Sequence, residues 1–343
     1  ALAALVVYLR LKGADYSFSY DYAAYITIIE RISDLSFSEI LGENLVFPYV
    51  LGRGITTIEV GFALLIEAIS LTGATPETTI ALIAALSVSL RVHVMHSTGV
   101  PPLWILLINI YAITLLEANA LRLGLATSFL LYGLRNIYWS RNVSGILAMT
   151  AALSFHLQVL FFIAPFLVLY FFSSAINGTR IRFIFTMLLI SLIQAATIRF
   201  IPMLSNEKVQ EYVALGSSGS TGITITSMAA IVLFFVLAKS LPTARSRTHD
   251  ANFFATIIAA SLPSLLLLIL LTNLAVIGGR TWQLAFIVLS SFFFLNWEQD
   301  GRKRLSLLLL TALTLIAVTN VLLRYQLSNF FSPPLPTFVP LIQ

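Results

Sequence analysis

Arg122, His156 and Arg280 are ionisable side chains set within or beside strongly apolar sequence. Such a group needs a partner, a wet cavity or a task when the surrounding chain lies in a membrane. Two guanidiniums facing one cavity suit a diphosphate, because Arg presents planar paired donors and stays protonated. An imidazole beside them could hydrogen-bond phosphate or take the proton of an attacking hydroxyl. A lone histidine near a helix turn is more often structural, and the two arginines are what point His156 toward chemistry. Asp15, Asp21 and Glu59 supply carboxylates from which a general base could be drawn. Glu67 follows Glu59 by eight residues and shares about the same helical face. Glu67, Arg91, Glu117 and Arg199 read as structural ion pairs or snorkelling side chains.

No Walker-type lysine loop and no dinucleotide glycine pattern occurs, so the driving energy of any group transfer would reside in the substrate. Asp15 with Asp21, or Glu43 with Glu59, could hold a divalent ion through oxygen. No ligand spacing is diagnostic, however, and a site without metal or cofactor is expected. The absence of Cys removes disulfides and thiolate-bound metals.

The elements that position these residues are dictated by composition. Of 343 residues, 58% are hydrophobic and only 10% are charged, against about 25% charged in a soluble domain. Apolar runs recur near 1–9, 57–72, 77–95, 101–117, 120–139, 143–155, 157–174, 182–203, 223–241, 252–277, 282–297 and 305–323. Each must be helical if it enters a bilayer, so that its backbone hydrogen bonds close internally. They lack the alternation of barrel strands. The expectation is an all-α, polytopic transmembrane bundle of about 10–12 membrane segments, folded as one domain over 1–343 because no internal repeat is visible. The chain opens at Ala1 inside an apolar run, so further residues are expected upstream.

A formal charge of +5 does not indicate nucleic acid, because the basic residues fall in short loops. The loops carrying Arg135 and Arg141, Arg180 and Arg182, Lys239, Arg245 and Arg247, and Arg302 to Arg304 are expected on the cytoplasmic side. The loops near 119–122, 156, 204–222 and 279–280 would then face outward. That alternation requires 143–174 to be a hairpin of two short helices turning near His156. It also favours a half-span or re-entrant dip for 57–72, leaving 10–56 as an outward amphipathic loop. Within that loop Tyr25, Ile28, Ile29, Ile32 and Leu35 recur at helical spacing, which predicts interfacial helices over 25–40. In this topology Arg122, His156 and Arg280 lie at the outer ends of different spans. A second outward loop, 204–222, ends in the run Gly216 to Gly222, read as a linker.

Five ordered landmarks carry a resemblance. They are Asp21-Tyr-Ala-Ala-Tyr25 preceded by Arg10 and Gly13-Ala-Asp15, Glu59-Val-Gly61-Phe62, Leu121-Arg-Leu-Gly-Leu-Ala126, Ala152-Leu-Ser-Phe-His156, and Gly279-Arg280 opening a span. Together they resemble the EpsG-type membrane proteins among the Wzy-like exopolysaccharide and O-antigen polymerases. The sequence departs from the family pattern at Val60, where Pro is common, and at Leu123, where Gln is common. The resemblance implies a bundle akin to the membrane GT-C glycosyltransferases. It also implies an enzyme of the bacterial cytoplasmic membrane that joins oligosaccharide repeat units carried on undecaprenyl diphosphate at the outer face. Arg122, Arg280 and His156 would then hold the lipid diphosphate, and Asp15, Asp21, Glu59 or His156 would take the acceptor proton. The implied partners are the lipid-linked oligosaccharide and membrane lipid, with a chain-length regulator as a candidate. A polyprenyl-phosphate-sugar transferase, a glycan ligase and a lipid-linked oligosaccharide flippase draw on the same residue types.

Overall fold

The computed structural model describes residues 22–42, 46–48, 55–113, 116, 120–171, 249, 253–254, 256–261 and 275–296. Almost all of this is helix, as composition demands. The exception is a small antiparallel pair, β1 (Val46–Pro48) and β2 (Ile55–Thr57), in register Val46 to Thr57. That hairpin interrupts the loop expected over 10–56, where no strand was expected.

Helices α1 (Tyr22–Ser33) and α2 (Phe37–Gly42) form where amphipathic periodicity was read. Tyr25, Ile28, Ile29 and Ile32 are buried while Glu30 and Arg31 are exposed. The stripe at i, i+3, i+4 and i+7 thus becomes the buried face, as a 3.6-residue period requires.

α3 (Val60–Ser70) has 11 residues, about 16 Å of helix and too short to cross a hydrocarbon core of about 30 Å alone. α4 (Pro76–Ser97) has 22 and is long and apolar enough to cross a membrane. Its start is well specified: Thr75 caps the amide of Thr78 through its hydroxyl and Pro76 occupies the first turn. Its end is set by Gly99 at φ 77°, a left-handed conformation that Gly adopts without a Cβ clash.

α5 (Pro102–Ala112) follows a proline pair, and α6 (Leu121–Tyr138) occupies the middle of the bundle with most of its residues buried. α7 (Asn142–Phe155) returns antiparallel to α6, the two forming the most extensive helix pair among the described residues. The expected break does fall at His156, which is extended at φ −162° and ψ 115°. A single 3-10 turn, Leu157–Val159, then leads into α8 (Leu160–Phe171). The last described helix, α9 (Ala275–Phe292), begins well before the predicted 282–297 span. Arg280 therefore sits in its second turn and not in a loop. The predicted segments 182–203, 223–241 and 305–323 and the loop 204–222 lie outside the described residues, as do Glu117 and Arg199.

Small residues set how closely α6 and α7 approach. A Cβ on Gly133 would stand 2.9 Å from the Gly145 carbonyl oxygen, and one on Gly145 would stand 2.9 Å from the Gly133 oxygen and 2.5 Å from Ile137 Cγ1. In lipid, where no hydrophobic effect drives helices together, such approach supplies the packing. Gly145→Leu is expected to separate the pair and destabilise the protein by about 1–3 kcal/mol, read as a lowered thermal midpoint in detergent. Several polar groups within the bundle pair with one another. Ser87 and Ser128 hydroxyls meet at 3.0 Å between α4 and α6. Arg91 is fully buried and donates through Nε to Asn109 Oδ1 at 2.8 Å. It is an internal structural cation and does not snorkel.

Candidate active site

Three helix ends meet at one place. Glu59 is the N-cap of α3, Arg122 is the second residue of α6, and His156 is the C-cap of α7. An N-cap acid ordinarily turns its carboxylate back on the first-turn amides. Glu59 makes no such bond; its backbone carbonyl accepts from Phe62 and Ala63 while its side chain reaches across to the neighbouring helices. Arg122 Nη1 donates to Glu59 Oε2 at 2.5 Å. The other oxygen, Oε1, lies 2.8 Å from His156 Nδ1 and accepts from the Leu157 amide at 3.5 Å. The three side chains are only 14–16% exposed.

Local sequence accounts for each placement. Phe155 ends α7 against Phe129 of α6, with ring centroids 5.0 Å apart, so the break at His156 falls beside the start of α6. The first amides of a helix lack intrahelical partners, and that of Arg122 donates to the Tyr25 hydroxyl of α1 at 3.5 Å. Tyr25 in turn packs edge-on against Phe62 of α3 at 6.2 Å. Tyr25 was read as part of the amphipathic stripe and of the Asp-Tyr-x-x-Tyr landmark, and not as a site residue. Its contact with α6 joins residues 97 apart, and no local spacing announces it.

Gly61 fixes the approach of α3 to α7. A Cβ there would stand 2.1 Å from Ser154 Oγ, 2.6 Å from Ser154 Cβ and 2.9 Å from its carbonyl oxygen. No larger residue fits without moving one helix away from the other.

Glu59 and His156 both lie in the junctions at helix ends, outside the helices themselves. Burial alone would raise the Glu59 carboxyl, but the His156 hydrogen bond and the charges of Arg122 and His156 more than offset it and hold the group at about 2. The pairing therefore stabilises the fold at neutral pH, and that contribution is withdrawn as pH falls from 4.5 toward about 2. His156 is displaced downward, first by burial; Glu59 opposes this, and the charges of Arg122 and Arg280 add to it. An ionised carboxylate can only accept, so His156 Nδ1 carries the proton and donates to Oε1. The neutral ring then presents Nε2 as an acceptor.

Arg280 is near enough for its charge to bear on His156, which connects the second turn of α9 to the cluster. Asp15 and Asp21 lie outside the described residues. Among the described residues no group of three or more His, Cys, Asp or Glu could hold a metal ion.

The architecture is that of a helical bundle with membrane-length apolar helix and a half-buried Glu–Arg–His cluster where helix ends converge. The chain belongs to the EpsG family, whose model matches residues 2–333. That family is associated with membranes, with exopolysaccharide biosynthesis and with polysaccharide-polymerase or glycosyltransferase-like activity. No curated protein and no solved structure matches the chain.

Proposed function

We propose that the chain is a polysaccharide polymerase that joins polyprenyl-diphosphate-linked repeat units at the outer face of the cytoplasmic membrane. The observation that carries this reading is the joining of Glu59 to both Arg122 and His156, with the charge of Arg280 reaching the imidazole. It is supported by where the basic residues fall along the bundle. Arg135 and Arg141 stand at the far end of α6 from Arg122, and a cytoplasmic position for them places the cluster outside.

In the proposed reaction the growing glycan is the donor and a hydroxyl of the next lipid-linked unit is the acceptor. The hydroxyl oxygen bonds to the anomeric carbon of the donor, and the bond from that carbon to the diphosphate oxygen breaks. The electron pair leaves with the lipid diphosphate, and the hydroxyl proton passes to a base. Arg122 and Arg280 stabilise the departing negative charge, aided by the N-terminal amides of α6, where the helix dipole favours anions. Among the candidate bases His156 is the best placed, because Glu59 fixes its tautomer and leaves Nε2 toward substrate. Glu59, held near 2 with both oxygens engaged, is a weak proton acceptor and serves to orient. Asp15 and Asp21 remain as carboxylates for acceptor binding or proton removal.

The test uses purified protein and a synthetic polyprenyl-diphosphate repeat unit, with products resolved by glycan size. Wild-type protein should give a ladder, and Arg122→Ala, Arg280→Ala and His156→Ala should each lower its rate by about 10²-fold or more. A single-addition product would mark a single-sugar transferase or ligase. Substrate binding without any new glycosidic bond would mark a carrier, and either result would overturn the polymerase reading.

A further inference from the structure

The end of α6 opposite the Glu59 cluster carries a second concentration of positive charge that the proposed reaction does not use. From Arg122 to Trp139 the helix spans about 25 Å, close to the thickness of a hydrocarbon core. At that far end lies an open cavity of about 520 Å³, whose lining includes Ser97, Tyr138, Trp139, Ser140, His249 and Leu295.

Two arginines, Arg135 and Arg141, stand beside the cavity and stack on its Trp139. Arg135 donates through Nε to Ser97 Oγ at 2.6 Å on the cavity wall. Its guanidinium carbon stands 4.9 Å from the Trp139 ring centroid, and that of Arg141 stands 5.9 Å from the same ring. Among the described residues neither arginine meets a carboxylate. His249 stacks on Tyr138 at 5.4 Å and donates through Nε2 to the Tyr138 carbonyl at 3.0 Å. Two arginines that meet no carboxylate among the described residues, grouped around a half-exposed indole and hydroxyl groups, form a surface for a phosphate-bearing ligand.

The neighbouring helix indicates which phosphate. Beyond Arg141, α7 exposes Val143, Ile146 and Leu147 at 75%, 45% and 64%. Spaced i, i+3 and i+4, they form an apolar stripe running away from the cavity rim. A free phosphate has no use for such a stripe, whereas an acyl chain does. Trp and Arg at the end of a membrane-length helix also match headgroup depth.

We propose that this cavity binds the phosphate of an anionic phospholipid, with the Arg135–Trp139–Arg141 stack holding the headgroup and the α7 stripe receiving a chain. The site is distinct from the Glu59 cluster and does not depend on its reaction. Occupancy would brace the α6–α7 turn, where Ser140 takes a positive φ of 59°.

The experiment measures thermal midpoints of the purified full chain in detergent with added phosphatidylglycerol, phosphatidylcholine or inorganic phosphate. Bound phosphatidylglycerol is counted in parallel by native mass spectrometry. Phosphatidylglycerol should raise the midpoint more than phosphatidylcholine, and inorganic phosphate should not. Arg141→Gln, an exposed position, should weaken phosphatidylglycerol binding about five-fold, with a similar loss in Trp139→Leu. Arg31→Gln, exposed on α1, should leave binding unchanged. Equal protection by both lipids, or undiminished binding in Arg141→Gln and Trp139→Leu, would overturn the site. Protection by inorganic phosphate equal to that by phosphatidylglycerol would overturn the lipid assignment.

Discussion

Glu59→Gln should reduce polymer formation by about 10²- to 10⁴-fold while leaving the protein folded. The amide is nearly isosteric but cannot hold Arg122 by charge, and it can donate as readily as it accepts. The neutral His156 ring is then no longer confined to the tautomer with the proton on Nδ1. A purely structural ion pair would show its loss in the thermal midpoint and leave catalytic rate per folded molecule nearly unchanged. The orienting role predicts a large loss of rate per folded molecule in addition to the stability that the lost pairing costs.

The pH profile separates the two further. With neutral His156 as the base, wild-type activity should fall on the acid side only below pH 6.5, because the imidazole is displaced downward from that value by burial and by the two guanidiniums. Glu59 is the group that opposes this displacement. Removing its negative charge should move the acid limb to still lower pH. An acid limb that moves upward in Glu59→Gln, or stays in place, would rule out His156 as the titrating base.

How much of this was legible beforehand differs by feature. The helical class followed from apolar run length and sparse charge, since a buried backbone has few other ways to satisfy its hydrogen bonds. The break at His156 followed from length, because 143–174 is too long for one ordinary span. The amphipathic face of α1 followed from its period. What sequence could not convey was pairing between distant segments. Glu59 reads equally as a reactive carboxylate or as half of an ion pair, and only its distances to Arg122 and His156 show that both oxygens are engaged. Arg280 shows a different limit. Its Gly-Gly-Arg context suggested a loop opening a span, yet Ala275, Val276 and Ile277 are already helical, so Arg280 falls within α9. The β1–β2 hairpin was missed because three-residue strands are too short to show alternation.

The second large effect is expected at a residue with no functional group. Gly61→Ala should nearly abolish activity, because its Cβ would fall 2.1 Å from Ser154 Oγ and 2.6 Å from Ser154 Cβ. Rotating the serine moves Oγ but cannot move Cβ, so α3 and α7 must separate. Those are the helices whose ends carry Glu59 and His156, and a hydrogen bond of 2.8 Å does not survive a shift of about 1 Å with its geometry intact. The expected cost to rate is about 10²-fold, accompanied by a stability loss of about 1–3 kcal/mol. A compensating change at Ser154 should relieve the clash. Ser154→Gly removes both side-chain atoms and leaves only the carbonyl oxygen at 2.9 Å. The Gly61→Ala, Ser154→Gly pair should therefore recover much of the rate lost by Gly61→Ala alone, a positive coupling measurable in a double-mutant cycle. If the two changes simply add, the clash does not control the Glu59–His156 contact, and Gly61 must act through its own backbone instead.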